Sequence, residues 1–586
     1  MESVNTGSYR IREQPPAGEL AELAGSLNLP VSIAALAWQR GIRTRAEWDA
    51  FSSHASLDLH DPHLLPDMDK ALQRLHLAID RKEKVMVHGD YDVDGLTGTA
   101  ILIRAFRELG LDARPFIPAR GKDGYGLSKR ALGNAIDKEV SLLVSVDCGS
   151  SDGESICEVS QKGLDVIVTD HHLCADLPDA CAFVSTQRTD SEYPHKNLSG
   201  SAIAYKLAHA LFESLGRKQD PERWLDLAAL GTVADVMPLR GENRRIVAGG
   251  LREMSRRMTA PRGSSASLPA WSALQGRQKG GIRELNTGDL AFRLAPRLNA
   301  PGRMGDANIS LNLLLSDSEK EAETLAREIN RQNKNRQEVE ARITAEAREL
   351  ALEKIRTSKA AGRNPGILVL CKEGWSRGIL GISAARLVDE FNIPAILLAP
   401  DENGCASGSG RGVEGCDLKA SLDEVAEHLA RHGGHPRAVG LSVKAGELEE
   451  LVRKLESQLP PPCTRPRPQA DVELKLEDAD RPFLDALELL EPFGEGNPEP
   501  CFLVRAAVAQ DRKVIQGKHL KLVFSQGGSK KEAIAFNGSS RLLPRFEKGV
   551  EIDLLLRIVR DTFNRKAGEH SIGFHLVDFQ ARKVEE

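Results

Sequence analysis

Between residues 84 and 170, short and nearly continuous apolar runs alternate with stretches of helical spacing. Lys84–His88, Ala113–Ile117, Ser141–Val146 and Leu164–Thr169 read as strands, and Thr97–Leu109 reads as a helix with Ile101, Leu102, Ala105 and Phe106 on one side. Apolar runs without polar alternation belong to strands covered on both faces, so this region predicts a parallel sheet in an α/β domain. From Ser316 to about Ile355 the chain is polar and free of Pro and Gly. That predicts one exposed helix of roughly 35–40 residues, far longer than the usual ~10–14, and a spacer between domains. Beyond it Ile367–Leu370, Ile379–Phe391 and Pro394–Leu398 read as strand, helix and strand of a second α/β domain. After the Pro-rich linker Pro460–Pro468, strand-like runs at Phe502–Ala509, His519–Phe524, Glu532–Phe536, Val550–Leu556 and Ser571–Val577 fit a small β-barrel of the oligonucleotide-binding (OB) type. Residues 1–70 are broken by Pro15, Pro16, Pro30, Pro62 and Pro66 and read as a helical preamble anchored by Trp38 and Trp48. The expected division is 1–70, 71–315, the helix 316–358, 359–460 and 461–586.

Composition narrows this picture only a little. With 41% hydrophobic and 28% charged residues the chain is ordinary for a globular protein of several domains. No apolar run approaches the ~20 residues of a membrane-spanning helix, and the amino terminus lacks the apolar core of a signal peptide. Nine cysteines without a CxxC pair argue for a reducing cytoplasm and against a disulfide framework or a structural zinc site. The net charge of −5 does not advertise a nucleic-acid binder. Arg240, Arg244, Arg245, Arg252, Arg256, Arg257 and Arg262 nevertheless crowd one stretch, either as a solvated basic face or as a patch.

The candidate chemistry sits at strand ends. VMVHGDYDVDG places His88, Asp90, Asp92 and Asp94 directly after an apolar run, Asp147 follows Val146, and Asp170, His171 and His172 follow Thr169. In an open α/β sheet ligands bind outside the carboxyl ends of the strands, so three acid or histidine clusters are expected to converge there. Asp235, in AALGTVADVMP, reads on its own as a helix-terminal residue. Carboxylate and imidazole without thiolate suit Mn²⁺ or Mg²⁺, and the number of acids suggests two ions. There is neither a Walker A loop nor a dinucleotide fingerprint. Leu294–Asn308 reads as a loop presenting Arg297 and Arg303. GWSRGILG, SGSGRG and HGGHPRAVG read as glycine-rich loops carrying Arg377, Ser409, Arg411, Gly433, Gly434 and His435, suited to a phosphate backbone.

HGDYDVDG, VDCG, TDHH and GTVADVMP, in this order, resemble the four motifs of the DHH phosphoesterase superfamily. RLNAPGRM, the long helix, WSRGILGISAARL, GSGRG and GGH resemble its RecJ branch, the single-strand-specific exonucleases. The resemblance covers roughly residues 70 to 586. It implies a DHH catalytic domain, a DHH-associated nucleic-acid-binding domain and an OB fold. It further implies a 5′-to-3′ exonuclease of single-stranded DNA, dependent on Mn²⁺ or Mg²⁺ and serving recombination and repair. Single-strand-binding protein and a RecQ-type helicase are the partners it implies. By motif, His88, Asp92, Asp94, Asp147, His171 and Asp235 are expected as metal ligands, with Asp147 bridging. Asp90 is a further ligand or a support, and His172 faces the phosphate or supports the site. Arg120 and Arg303 are expected to grip phosphates, and Tyr125 to stack on a base. Two positions depart from the branch: His432 stands where an aromatic residue usually precedes GGH, and Gly412 where serine is frequent. Both bear on DNA contact rather than on the ligands. Other readings of the same residues are a phosphodiesterase for short oligonucleotides or cyclic dinucleotides, and a non-catalytic scaffold.

Overall fold

The structure, a computed structural model, describes residues 9–53, 59–119, 126–174, 176–218, 220–261, 263–264, 267–275, 285–402, 404–461, 468–561 and 571–582. It divides into two compact units, His60–Asp235 with Gly250–Arg465, and Met1–Leu59 with Val236–Gly249 and Pro466–Glu586.

The first unit begins with a five-stranded sheet of β1 (Lys84–Gly89), β2 (Asp112–Phe116), β3 (Leu142–Val146), β4 (Asp165–Thr169) and β5 (Ala182–Val184), in the order β2-β1-β3-β4-β5. Every pairing is parallel. The apolar runs became strands because both faces are covered. Met86, Leu143, Val166 and Val168 join one core with Leu132 and Ile156. The helix Val93–Glu108 is buried along nearly its whole length.

The long helix runs Glu319–Ala360, 42 residues. It is more than an exposed spacer. Ile343, Ala347 and Ala351 recur at helical spacing and pack into the core of the following sheet with Leu368, Ile379 and Leu397.

That sheet contains β6 (Leu368–Cys371), β7 (Ala395–Pro400), β8 (Ala406–Arg411), β9 (Leu429–His435) and β10 (Ala438–Val443), ordered β6-β7-β8-β10-β9. Only β6 and β7 run parallel. The glycine-rich segments at 407–412 and 432–440, expected as loops from their composition, are therefore mostly strand, residues 407–411 in β8 and 432–435 and 438–440 in β9 and β10, with a turn at 436–437. The glycines there serve close packing: a Cβ on Gly408 would sit 1.8 Å from the Leu397 carbonyl oxygen. Leu294–Asn308 likewise departs from expectation, forming the helix Ala295–Met304 instead of a loop. Pro296 occupies its first turn, where a missing N–H is harmless.

In the second unit β11 (Val472–Glu473), β12 (Phe502–Ile515), β13 (His519–Gln526), β14 (Ser529–Ala535), β15 (Glu551–Asp561) and β16 (Ser571–Ala581) are ordered β11-β12-β13-β14-β16-β15, and β12 also pairs β15. That extra pairing closes the sheet into the expected OB-type barrel. The preamble helices Ala17–Leu27 and Val31–Gln39 share its core, with Trp48 buried and Trp38 packed against it. Arg244 accounts for part of the basic run. It donates to the carbonyls of Leu490 (3.0 Å) and Phe51 (3.1 Å) and is a buried structural cation. In the first unit Arg256 and Arg257 pair with the buried Glu253, and Arg262 lies outside the described residues. Among the described residues no single helix is long and apolar enough to cross a membrane.

Candidate metal centre

Three of the acids, Asp90, Asp147 and Asp170, stand one residue past a strand and are held by the ladder's own continuation. The Asp90 amide donates to the Val146 oxygen (3.2 Å), Asp147 to Thr169 (3.0 Å) and Asp170 to Val184 (3.3 Å). Strand order reverses between β1 and β3, with β2 on one side and β4 on the other. A crevice opens at such a reversal, and Asp90 and Asp147 flank it. Asp147 adopts φ +62°, a left-handed conformation uncommon for a non-glycine residue.

Helix starts supply the remaining supports. Asp92 caps the helix Val93–Glu108 by accepting from the amides of Asp94 (3.0 Å) and Gly95 (3.3 Å). Asp94, 1% exposed, accepts from Gly200 (2.6 Å) and Ser201 (3.0 Å) at the start of the helix Gly200–Ser214. These donors offset the loss of water around a buried carboxylate. Asp235 follows the helix Leu225–Ala234 as its C-cap, consistent with its reading in isolation.

The side chains meet in three overlapping sets whose ligand atoms lie within 4.8 Å of one another: Asp90, Asp92 and Asp147; Asp94, His171 and Asp235; and Asp147, His171 and His172. The first two share no residue, and Asp147 and His171 join them. His171 Nε2 is 3.0 Å from Asp147 Oδ1, 3.4 Å from Asp235 Oδ2 and 3.9 Å from Asp94 Oδ2. Despite these approaches, neither His171 Nε2 nor Asp235 Oδ2, both buried, makes a hydrogen bond. Acceptor atoms that converge without hydrogen bonds are arranged as ligands arrange themselves around a cation. The residues therefore fit a pair of divalent ions, and the all-oxygen-and-imidazole donor set fits Mn²⁺ or Mg²⁺. Cys148 lies close by and belongs to none of the three sets, and burial and then Asp170 push its thiol well up.

The electrostatics point the same way. Burial, then the charges of Asp94, Asp92, Asp235 and Asp90, push Asp147 well above the carboxylate range. Burial, followed by Asp94 and Asp92, lifts Asp235 to about 8. Asp92 is raised by burial and by Asp94. Burial lowers His171 against the pull of Asp94. Such acids ionise together only when a cation compensates them.

His172 is tied to Asp170. Its Nδ1 lies 2.7 Å from Asp170 Oδ1. Burial opposes its charge, but the bond to Asp170 and that residue's charge outweigh it and hold His172 near 9. Asp170 is pulled down to about 2: burial would raise it, but His172, then the Ser150 side chain and the charge of His171, prevail.

His88 is fully buried on β1, stacked on Phe116 at 5.4 Å with Nδ1 3.5 Å from Cys148 Sγ, and it belongs to none of the three sets. Arg120 and Tyr125 lie outside the described residues. Arg303 donates to the Gly378 oxygen (3.2 Å) and so links its helix to the start of Arg377–Phe391. Arg297 donates to Leu274 (2.6 Å). Arg377 is exposed, 3.8 Å from Asp401. Ser409 and Arg411 lie on β8, and Gly433, Gly434 and His435 on the edge strand β9. His432 is tied to Asp423 at 2.8 Å. A Cβ on Gly412 would come within 3.2 Å of the Pro436 oxygen, so serine there requires the turn between β9 and β10 to give.

Three supports have no assigned part in the sequence reading. Asp170 accepts from the amides of Ser150 (3.0 Å), His171 (2.8 Å) and His172 (3.2 Å) and fixes the TDHH turn. Asn299 Oδ1 accepts from the Val93 amide (3.1 Å). Ser199 caps the helix that holds Asp94. The pattern LSGSA carried a helix-start signal for the last of these; the Asn299 contact and the Ser150 amide's bond to Asp170 are long-range and have no local signature.

Residues 84–232 match the family described as DHH family, N-terminal domain, residues 364–459 the DHHA1 domain, and residues 470–572 the RecJ OB domain. The single-stranded-DNA-specific exonuclease RecJ of Bacillus subtilis is 36% identical over 90% of this chain, which spans 65% of that protein. The Salmonella typhimurium protein of the same name is 33% identical, over 92% of this chain and 94% of that one. The crystal structure of RecJ in complex with Mn²⁺ from Thermus thermophilus superposes with a TM-score of 0.80 at 29% identity, covering 98% of this chain and 80% of that one. A manganese-bound exonuclease RecJ gives 0.56 at 32% identity, over 67% and 94%.

Proposed function

Because the chain belongs to the RecJ family, we propose that it is a single-stranded-DNA-specific exonuclease, hydrolysing phosphodiester bonds from the 5′ end in recombination and repair. The observation that carries this reading is the pair of disjoint ligand sets joined through Asp147 and His171 at the β1/β3 reversal. Asp90, Asp92 and Asp147 would hold one ion, and Asp94, His171 and Asp235 the other. When bound, two Mn²⁺ or Mg²⁺ ions supply an activated water and charge for the leaving oxygen.

The chain's own residues do the rest. Gly200 and Ser201 orient Asp94 through their amides. Asp170 keeps a proton on His172 Nδ1 and so keeps a cation beside the ligand sets, where a phosphate oxygen is the natural partner. Arg303 and Arg377, with β8 and β9, offer cations and close backbone for the strand. His88, within β1, packs on Phe116, and its part as a ligand is a proposal resting on its strand-end position and the motif. Single-strand-binding protein and a RecQ-type helicase are proposed partners, and the cytoplasm the proposed compartment. The eight cysteines among the described residues, all unpaired thiols, agree with a reducing environment.

The test is digestion of single strands blocked at the 5′ or the 3′ end, beside the matching duplex, with Mn²⁺. The expected result is loss of product only with the 5′ block and little with duplex. Equal attack on duplex, or release unaffected by the 5′ block, contradicts the reading.

A further inference from the structure

Away from the ligand sets, the segment before helix Ala295–Met304 forms a π-helical turn, Leu290–Leu294. Such turns are rare and recur at functional positions. This one presents Phe292, the most exposed large apolar side chain among the described residues at 82%. Across from it stands the long helix. Between them lies a concavity of about 290 Å³, lined by Phe292, Arg293, Arg297, Asn330, Asn333 and Lys334 among others. That is near the lower bound for a small-molecule site, about 300 Å³.

The chemistry of the lining is specific. Among the described residues no carboxylate lines it, though Arg293 is paired at its rim with Asp289 (2.5 Å) and Lys334 stands 3.9 Å from Glu338. Arg297 is anchored by its bond to Leu274. Burial and the like charge of Arg293 both weaken its hold on its proton, the condition an anion relieves. Asn333 is fixed by accepting from Arg336 Nε at 3.2 Å. An exposed ring beside cations and carboxamides matches what a single nucleic-acid strand offers: a π-face, a phosphate and base edges. The place also fits. Asn299, on the same helix, holds the Val93 amide at the metal loop, and at ~1.5 Å per residue Phe292 lies on the order of 10 Å along that segment.

We propose that this concavity is a nucleotide subsite for single-stranded DNA, stacking one base on Phe292 and drawing one phosphate to Arg297 and Lys334. It rests on the exonuclease reading for its ligand. It turns the long helix from a connector into one wall of the DNA path.

The test is binding of a long fluorescent oligothymidylate by anisotropy in EDTA, across salt concentrations, which separates it from cleavage. Phe292→Ala is expected to weaken binding about tenfold (about 1.4 kcal/mol), as the loss of one base-stacking contact does, and Phe292→Tyr to restore it. Arg297→Gln and Lys334→Gln are each expected to reduce the salt slope by about 0.7. Unchanged affinity in Phe292→Ala, or Phe292→Tyr as weak as the alanine variant, overturns the subsite. Should the unmodified protein bind the strand but not cut it with Mn²⁺, the exonuclease reading fails, while the subsite still stands or falls on Phe292.

Discussion

Gly231 offers a direct probe of how the fold aims a ligand. It lies in the helix Leu225–Ala234, against the carboxylate of Asp94. A Cβ added there would stand 2.1 Å from Ser201 Oγ, 2.3 Å from Asp94 Oδ1 and 2.7 Å from Thr97 Oγ1. All three neighbours are 0–1% exposed, so none has room to retreat. Gly231→Ala must therefore move Asp94, the helix or both. Overpacking of this kind costs about 1–3 kcal/mol of stability. Displacing Asp94 also strains its bonds to Gly200 and Ser201, and a ligand misplaced by ~1 Å can lower turnover about 10²-fold. The assays are denaturant unfolding, Mn²⁺ titration and hydrolysis of single-stranded DNA. The expected outcome is a loss of Mn²⁺ affinity and turnover well beyond the loss of stability. Gly18→Ala, at a helical glycine with nothing within 4 Å, serves as control. A Gly231→Ala protein with unaltered Mn²⁺ affinity and turnover would falsify the claim that Asp94 is aimed by this packing.

Asp170→Asn should bring His172 down from about 9 towards its ordinary 6.5. The charge present below pH 9 is then lost between pH 7 and 9, and KM for DNA rises across that window; an unchanged KM–pH profile argues against a phosphate role for His172. The stabilising part of the Asp170–His172 pair is fully present between about pH 4 and 6.5. It fades as acid protonates Asp170 towards pH 2 and as base deprotonates His172 towards pH 9. Arg303→Ala is expected to weaken DNA binding and lower its salt slope by about 0.7 with Mn²⁺ stoichiometry retained, and affinity unchanged at every salt concentration contradicts that role. Mn²⁺ at about 100 times its dissociation constant should stabilise the folded chain by about 2.7 kcal/mol per site, read as a rise in melting temperature that EDTA reverses.

The catalytic sheet was legible because its strands are buried on both faces, which leaves uninterrupted runs such as Leu142–Val146, and because each run ends abruptly in Asp or His. The barrel was legible from its alternation and turns. The helix Ala295–Met304 was not, since Pro296, Asn299 and Gly302 are turn formers locally. Tertiary contacts outweigh that preference: Leu298 and Ala300 are fully buried and Asn299 grips the metal loop. Likewise Gly408 and Gly434 read as loop formers, while their purpose is to let neighbouring backbones approach. Of the four donors to Asp170, three come from the next two residues of TDHH, while the Ser150 amide is brought in by the fold and has no spacing that announces it. The strand-end pattern and the family motif both singled out His88, whose ring packs on Phe116 with Nδ1 3.5 Å from Cys148 Sγ.

The central claim is that Asp147 joins two ion sites that cut a single DNA strand. The most direct measurement is Mn²⁺ stoichiometry and single-strand hydrolysis in the intact protein and in Asp147→Ala, with folding checked by circular dichroism. Two ions in the intact chain, fewer in the variant and a turnover lower by several orders of magnitude are predicted. A folded Asp147→Ala protein that binds two ions or cuts DNA at a near-normal rate contradicts the account.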